Sequence, residues 1–333
     1  TRSLCDWSSD VCSSDLNKIY NENCFIGMKK LPDNSIDCCV TSPPYYGLRD
    51  YGNDEQIGLE ETPEHYVQTM VNVFRDVKRV LKDDGTLWLN LGDSYAGAGW
   101  RNNNDKPGAK QKTNNGTNIS GIKIKTDCKP KDLIGIPWMV AFALRADGWY
   151  LRQDIIWHKP NPMPESVTDR CTKSHEYIFL LSKSPTYYYD HEAIFEPANY
   201  DGRKDTIMKG SEKYQNGFAP TDPNPQSIAK VGHERWANKL EGDIPARNKR
   251  SVWKVNTKPF SEAHFATFPQ DLIVDCIKAG CPENGVVIDP FMGAGTTAVV
   301  ARKLNRNFIG FELNADYVKI AEKRLYNELG MFL

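Results

Sequence analysis

The chain is 333 residues long, 40% hydrophobic, and carries a formal net charge of -1 at pH 7. Such a chain can bury a sizeable core, either as one large domain with an insertion, which is the expectation, or as two domains. The charge balance gives no chain-wide signal for a polyanion, no apolar run reaches bilayer length, there is no secretory signal pattern, and nine cysteines without a CxxC pair or a histidine at zinc-ligand spacing argue against a structural metal.

Thr1 to Leu16 stand apart. Ser-Ser-Asp occurs at Ser8 to Asp10 and again at Ser13 to Asp15, and Cys5 to Leu16 resembles a translated sequencing adapter. These residues are set aside from the fold, and the natural chain is expected to start near Asn17. A strand is predicted over Lys18 to Tyr20, then a short helix from Cys24 to near Lys30. Pro32-Asp33-Asn34 turns the chain into the strand Ile36 to Val40. Cys38 and Cys39 within it read as ordinary buried thiols, which suits a reducing cytoplasm.

Ser42-Pro43-Pro44-Tyr45 follows that strand. Pro44 pushes Pro43 toward an extended conformation and neither proline donates a backbone hydrogen bond, so the strand stops here with free carbonyls. Loops beyond the carboxyl ends of strands are where open α/β sheets bind ligands. Ser42 and the Pro43 carbonyl can accept hydrogen bonds from an NH2 group, and Tyr45 offers a face for stacking. Taken alone, the four residues read equally well as a strand terminator with a packed tyrosine.

The pattern Tyr66, Met70, Val73, Val77, Val80, Leu81 predicts a helix over Pro63 to Leu81, ended by Asp83-Asp84-Gly85 before the strand Thr86 to Leu91. Residues 98–131 form a basic loop: Arg101 to Lys131 holds eight Lys or Arg against two Asp, a balance of +6. A helix over Pro137 to Ala146 and strands at Tyr150 to Trp157 and Glu176 to Ser182 come next. From 190 to 259 apolar periodicity is lost, and Arg247, Lys249, Arg250 and Lys254 cluster beside Trp253, so this stretch reads as an insertion. Regular structure resumes with a helix over Pro269 to Ala279, the strand Gly285 to Asp289, a glycine turn, a helix from Thr296 to Leu304, the strand Asn307 to Glu312, and a helix from Ala315 to Tyr326. The alternation predicts a mostly parallel sheet covered on both faces.

The turn Asp289-Pro290-Phe291-Met292-Gly293-Ala294-Gly295-Thr296-Thr297 lets the backbone approach a ligand at Gly293 and Gly295, and the following helix start favours a carboxylate. Glu312, at the end of the next strand, is placed to hydrogen-bond ribose hydroxyls. No lysine follows the glycines and the spacing is not GxGxxG, so a polyphosphate is disfavoured.

With Ser42 to Tyr45, this segment resembles the paired motifs of the amino-group DNA methyltransferases, which modify N4 of cytosine or N6 of adenine. The likeness spans 17 to about 329, and the order, catalytic loop first, resembles their permuted β class. The resemblance implies a Rossmann-like, S-adenosylmethionine-dependent methyltransferase fold, α/β, with a seven-stranded mixed sheet, circularly permuted. It divides the chain into a catalytic part (17–189), a target-recognition insertion (190–259) and a cofactor-binding part of the same domain (260–330). It implies S-adenosyl-L-methionine at Asp289, Phe291, Gly293, Gly295, Thr296, Thr297 and Glu312. Asn23 stands where the family places an acidic residue near the adenine, and Thr267 and Phe268, with His264 and Phe265, resemble the segment at the methionine end.

The implied catalytic residues are Ser42, Pro43, Pro44 and Tyr45. The base is flipped out of the duplex, at a cost of roughly a few kcal/mol, and held partly by stacking on Tyr45. Ser rather than Asp before the prolines resembles the N4-cytosine enzymes, with N6-adenine the alternative. Glutamine methylation, which uses an Asn-Pro-Pro-Tyr loop, is disfavoured by the motif order, and an inactive DNA-binding protein of the same fold is the non-enzymatic alternative. The implied partners are double-stranded DNA, a cognate restriction endonuclease and a second copy of the chain, in a bacterial or phage-infected cytoplasm and with no membrane. Lys159, Arg247, Lys249, Arg250 and Lys254 are candidates for phosphate contacts. Asp93-Ser94-Tyr95 either lines the base pocket or ends a strand, and His158 reads as structural.

Overall fold

The computed structural model describes residues 15–97, 126–198, 239–240, 244–258 and 268–330. In chain order the strands are β1 (Lys18–Tyr20), β2 (Ile36–Thr41), β3 (Leu81–Leu91), β4 (Tyr150–His158), β5 (His175–Ser182), β6 (Glu196–Pro197), β7 (Lys239–Leu240), β8 (Ile244–Arg247), β9 (Val252–Lys254), β10 (Val286–Asp289) and β11 (Asn307–Phe311). The helices are α1 (Cys24–Met28), α2 (Pro63–Val80), α3 (Ile136–Ala146), α4 (Gln270–Gly280), α5 (Thr296–Lys303) and α6 (Ala315–Leu329). These residues divide into two compact units, one running to Asp190 and again from Ser251, the other His191–Arg250.

The first unit is built on an eight-stranded sheet in the order β1-β11-β10-β2-β3-β5-β4-β9. From β1 to β3 all neighbours are parallel, and β5 runs antiparallel to both β3 and β4. Every residue of β2 is buried, as expected of a central strand with both faces covered. The helices form because their apolar spacing has one face to hide. In α2, Tyr66, Met70, Val73, Phe74 and Val77 lie on that face, Pro63 opens the first turn, and the Thr62 hydroxyl accepts from the His65 amide at 3.2 Å. At the chain end, α6 is capped by Asn314 and stopped by Gly330 at φ +67°.

Two elements differ from the sequence reading. Asp83-Asp84-Gly85 is not a turn before the strand but part of it. The pairing Ile36↔Leu81 is followed by Cys38↔Thr86, so the extra residues bulge out of β3 and the ladder resumes. The eighth strand is Val252–Lys254, which lies within the stretch read as insertion. It pairs with β4 because Trp253 turns inward between the exposed Val252 and Lys254, 6.4 Å from Trp88 between ring centroids. The second unit contains a small antiparallel sheet, β6-β8-β7. Among the described residues no helix is long and apolar enough to cross a membrane.

Candidate active site

The strand order changes direction between β2 and β10, since the chain passes from β2 by α2 to β3 on one side and from β10 by α5 to β11 on the other. Crevices at such switch points, beyond the carboxyl ends of the strands, are the ligand sites of open α/β sheets. Here the crevice is a cavity of about 710 Å³, with Ser42, Pro43 and Tyr45 on one wall and Phe291, Gly293 and Glu312 on another. The two motifs are tied together by hydrogen bonds, one of them from the Thr297 hydroxyl to the Val40 carbonyl at 3.4 Å. The Thr41 hydroxyl donates to Asp289 Oδ1 at 2.6 Å across 248 residues of sequence.

On the β10 side, Asp289 is a brace. Its buried carboxylate also accepts from the Thr297 hydroxyl at 2.6 Å and the Phe291 amide at 3.0 Å, and burial pushes its carboxyl up to about 6 against these bonds. Gly293 turns at φ +52° and Gly295 at φ +77°, a region that favours glycine. A Cβ on Gly295 would also lie 2.8 Å from the Ala321 Cβ. Glu312 receives the Gly293 amide on one carboxylate oxygen and the Asn314 amide on the other, each at 2.8 Å. Burial raises its pKa above the usual glutamate value. Each oxygen keeps a lone pair, so Glu312 can accept two hydroxyl groups from a bound nucleoside.

Thr296, Asn23 and Phe268 also line the cavity. Asn23 caps α1 through the Phe25 amide at 3.0 Å and donates to Glu55. Asp289, Gly295 and Thr297 shape the turn from behind without lining the cavity. Thr267, His264 and Phe265 lie outside the described residues, as does most of the basic loop.

On the β2 side, Tyr66 donates to the Pro44 carbonyl at 2.9 Å and so holds the loop. The Tyr45 ring packs over Gly92, where a Cβ would come within 2.5 Å of Cε2. Its hydroxyl donates to Glu176 Oε2 at 2.7 Å and lies 3.0 Å from Asn90 Oδ1. Burial, and then the Glu176 carboxylate, push the Tyr45 phenol well above its ordinary pKa, so it stays neutral. Ser42 donates to Asn90 Oδ1 at 3.3 Å, which leaves its oxygen lone pairs as acceptors.

Asn90 and Glu176 were missed in the sequence. The signals available were an amide breaking the apolar run of β3 and an acid opening the apolar strand β5.

Lys159, expected at phosphate, is in the cavity wall. It is ion-paired with Glu176, and its side chain is only 18% exposed. Asp93 caps α3, accepting from the Gly135 and Ile136 amides at 3.0 Å, and is not part of the cavity wall. His158 pairs in register with the exposed Lys254. In the second unit Arg247 and Arg250 both hold Glu196 Oε1, at 2.8 and 2.6 Å, while Lys249 is half-buried.

Comparison with known proteins agrees with this geometry. The family model described as DNA methylase (N6_N4_Mtase) matches residues 36–323. The type II methyltransferase M.SmaI of Serratia marcescens is 44% identical over 326 residues, covering 97% of this chain and 96% of its own. M.Cfr9I of Citrobacter freundii is 46% identical over 303 residues, covering 90% and 85%.

Among solved structures, the cytosine-N4-specific PvuII DNA methyltransferase shares the fold at 17% identity with a TM-score of 0.58, covering 94% of this chain and 85% of its own. TTHA0409 of Thermus thermophilus, complexed with S-adenosyl-L-methionine, does so at 21% identity with a TM-score of 0.56, covering 95% of each chain. The match runs from β2 into α6 and so takes in both walls of the cavity: the chain belongs to the DNA methylase family.

Proposed function

We propose that this chain transfers a methyl group from S-adenosyl-L-methionine to the exocyclic N4 of a cytosine flipped out of double-stranded DNA, at a specific sequence. The observation that carries this reading is the cavity in which the Ser42-Pro-Pro-Tyr45 loop faces the glycine turn of β10. S-adenosyl-L-methionine, the cofactor of the family, supplies an electrophilic methyl group on a sulfonium. Glu312 would hold its ribose hydroxyls, Phe291 and Asn23 its adenine, and the backbone at Gly293 passes close beside it.

The remaining chemistry belongs to the chain. An exocyclic amine is a weak nucleophile because its lone pair is delocalised into the ring. The Ser42 hydroxyl donates its hydrogen bond to Asn90 Oδ1, so Ser42 Oγ and the Pro43 carbonyl are both open as acceptors for the NH2 group. Two such bonds favour a pyramidal amine and aim its lone pair across the cavity; as the N–C bond would form and the sulfonium's S–CH3 bond break to leave a neutral thioether, one amine proton would pass to water. Tyr45 supplies a neutral ring on which the base stacks, worth about 1–3 kcal/mol. Catalysis is positioning and electrostatics, with no covalent enzyme intermediate.

Ser42 in place of an aspartate is what favours cytosine in this reading. The second unit is the target-recognition region in this reading, with its exposed Arg250 at phosphate, as is Lys254 of β9 in the first unit, and a cognate restriction endonuclease is the natural companion. Nucleoside mass spectrometry of DNA from expressing cells should show N4-methylcytosine; N6-methyladenine alone overturns the assignment. Ser42→Ala should lower kcat at least about 10²-fold, as loss of one positioned hydrogen-bonding group does elsewhere. Cofactor binding should persist, and near-normal turnover would remove Ser42 from its role.

A further inference from the structure

Lys159 and Glu176 form a built-in ion pair at the wall where the flipped base must lie. The Lys159 ammonium bonds Glu176 Oε1 and sits 4.2 Å from the centroid of the Trp157 ring. Trp157 is itself fixed, buried and donating from Nε1 to the Val255 carbonyl at 2.8 Å. Glu176 Oε2 takes the Tyr45 hydroxyl at 2.7 Å, and that hydroxyl lies 3.5 Å from Ser42 Oγ. Ser42, Tyr45, Glu176 and Lys159 thus form a continuous polar row along the cavity wall. At one end stands an acceptor, at the other a cation.

An ammonium has three donors and no acceptor. One goes to Glu176, which leaves donors for a ligand in the cavity that Lys159 lines. Cytosine presents an edge of this pattern: the amine N4 at one end, then the acceptors N3 and O2. We infer that Lys159 is a specificity-determining residue that donates to the O2/N3 edge of the flipped cytosine while Ser42 and Pro43 hold its amine. Glu176 does two things in this arrangement. It fixes the ammonium, and it offsets a charge that would otherwise oppose the positive charge moving onto the base. The assignment rests on the cytosine reading above, and it moves Lys159 from phosphate recognition to base recognition.

The two roles separate by salt and by an abasic target. A phosphate contact adds about 0.9 to the slope of log K against log salt and acts whether or not the base is present. A base-edge contact leaves both untouched and acts on turnover of the intact site. For Lys159→Met we expect kcat/KM to fall about ten- to hundredfold, within the range for a good base contact. The salt slope and the affinity for DNA abasic at the target should equal wild type, with binding of S-adenosylmethionine retained. Lys159→Gln, which keeps a donor for Glu176, should give the same split if the methionine variant folds poorly.

A slope shallower by about one, weakened binding to abasic DNA, or unchanged kcat/KM overturns the proposal. The product identifies which reading has failed. N4-methylcytosine with a shallower slope removes the Lys159 assignment alone, whereas N6-methyladenine from the wild type removes the cytosine reading on which it rests.

Discussion

Gly92 has no side chain because the Tyr45 ring occupies the space where one would go. Gly92→Ala would drive its Cβ to 2.5 Å from Cε2, and Tyr45 cannot retreat without breaking its bond to Glu176. The expected outcome is a fall of about ten- to hundredfold in kcat, since roughly 1 Å of misplacement at a reacting centre is worth that much. Cofactor affinity, read by calorimetry, should be unchanged because Gly293 and Glu312 stand on another wall. A variant that loses cofactor binding to the same extent would show that the two walls move together. Asp289 carries the complementary lesson. Its carboxylate accepts from Thr41, Thr297 and Phe291, so it holds the shape of the turn.

At the scale of elements, the last three helices are joined by one carboxylate. Glu328 on α6 takes Lys303 of α5 at 2.5 Å, Gln270 of α4 at 2.9 Å and Arg324 of its own helix at 2.8 Å. Partial burial would raise its carboxyl, but the bonds from Lys303, Arg324 and Gln270 hold it down at about 2. A depressed carboxylate stabilises the fold above its unfolded pKa and loses that contribution as pH falls toward the folded value. Glu328→Gln should therefore cost about 1–2 kcal/mol at pH 7. The gap from wild type in thermal melts should narrow between pH 4.5 and about 2; a gap constant with pH would refute the linkage.

The elements that were legible in the sequence carry their own punctuation: Pro43-Pro44 after an apolar run, Gly293 and Gly295 before a helix, Pro63 at a helix start. Those that were not depend on partners far away. Glu176 reaches Tyr45 only because β5 pairs antiparallel with β3, with Leu91 opposite Tyr177. Asp83-Asp84-Gly85 has turn chemistry, and the pairing with β2 on either side is what makes it a bulge. Val252–Lys254 is too short to show a period, and its place at the sheet edge is decided by where Trp253 is buried.

For the whole molecule, the decisive fact is that β10 and β11 enter the middle of the sheet, while β1 has β11 as its strand neighbour. A chain ending at Gly280 lacks both strands. It should sediment as aggregate on expression, where the full chain stays in the supernatant; a soluble, monomeric fragment would contradict this. The Thr41 to Asp289 bond gives that topology a clock. At roughly 5–20 residues per second, a ribosome needs on the order of tens of seconds to make the 248 residues between the bond's two ends. Throughout that interval Ile36–Thr41, which the finished protein buries entirely, lacks its β10 neighbour and presents an apolar edge. The methylating centre therefore cannot come into being before β10 has been made, and until then the β2 edge of the nascent chain needs something to shield it.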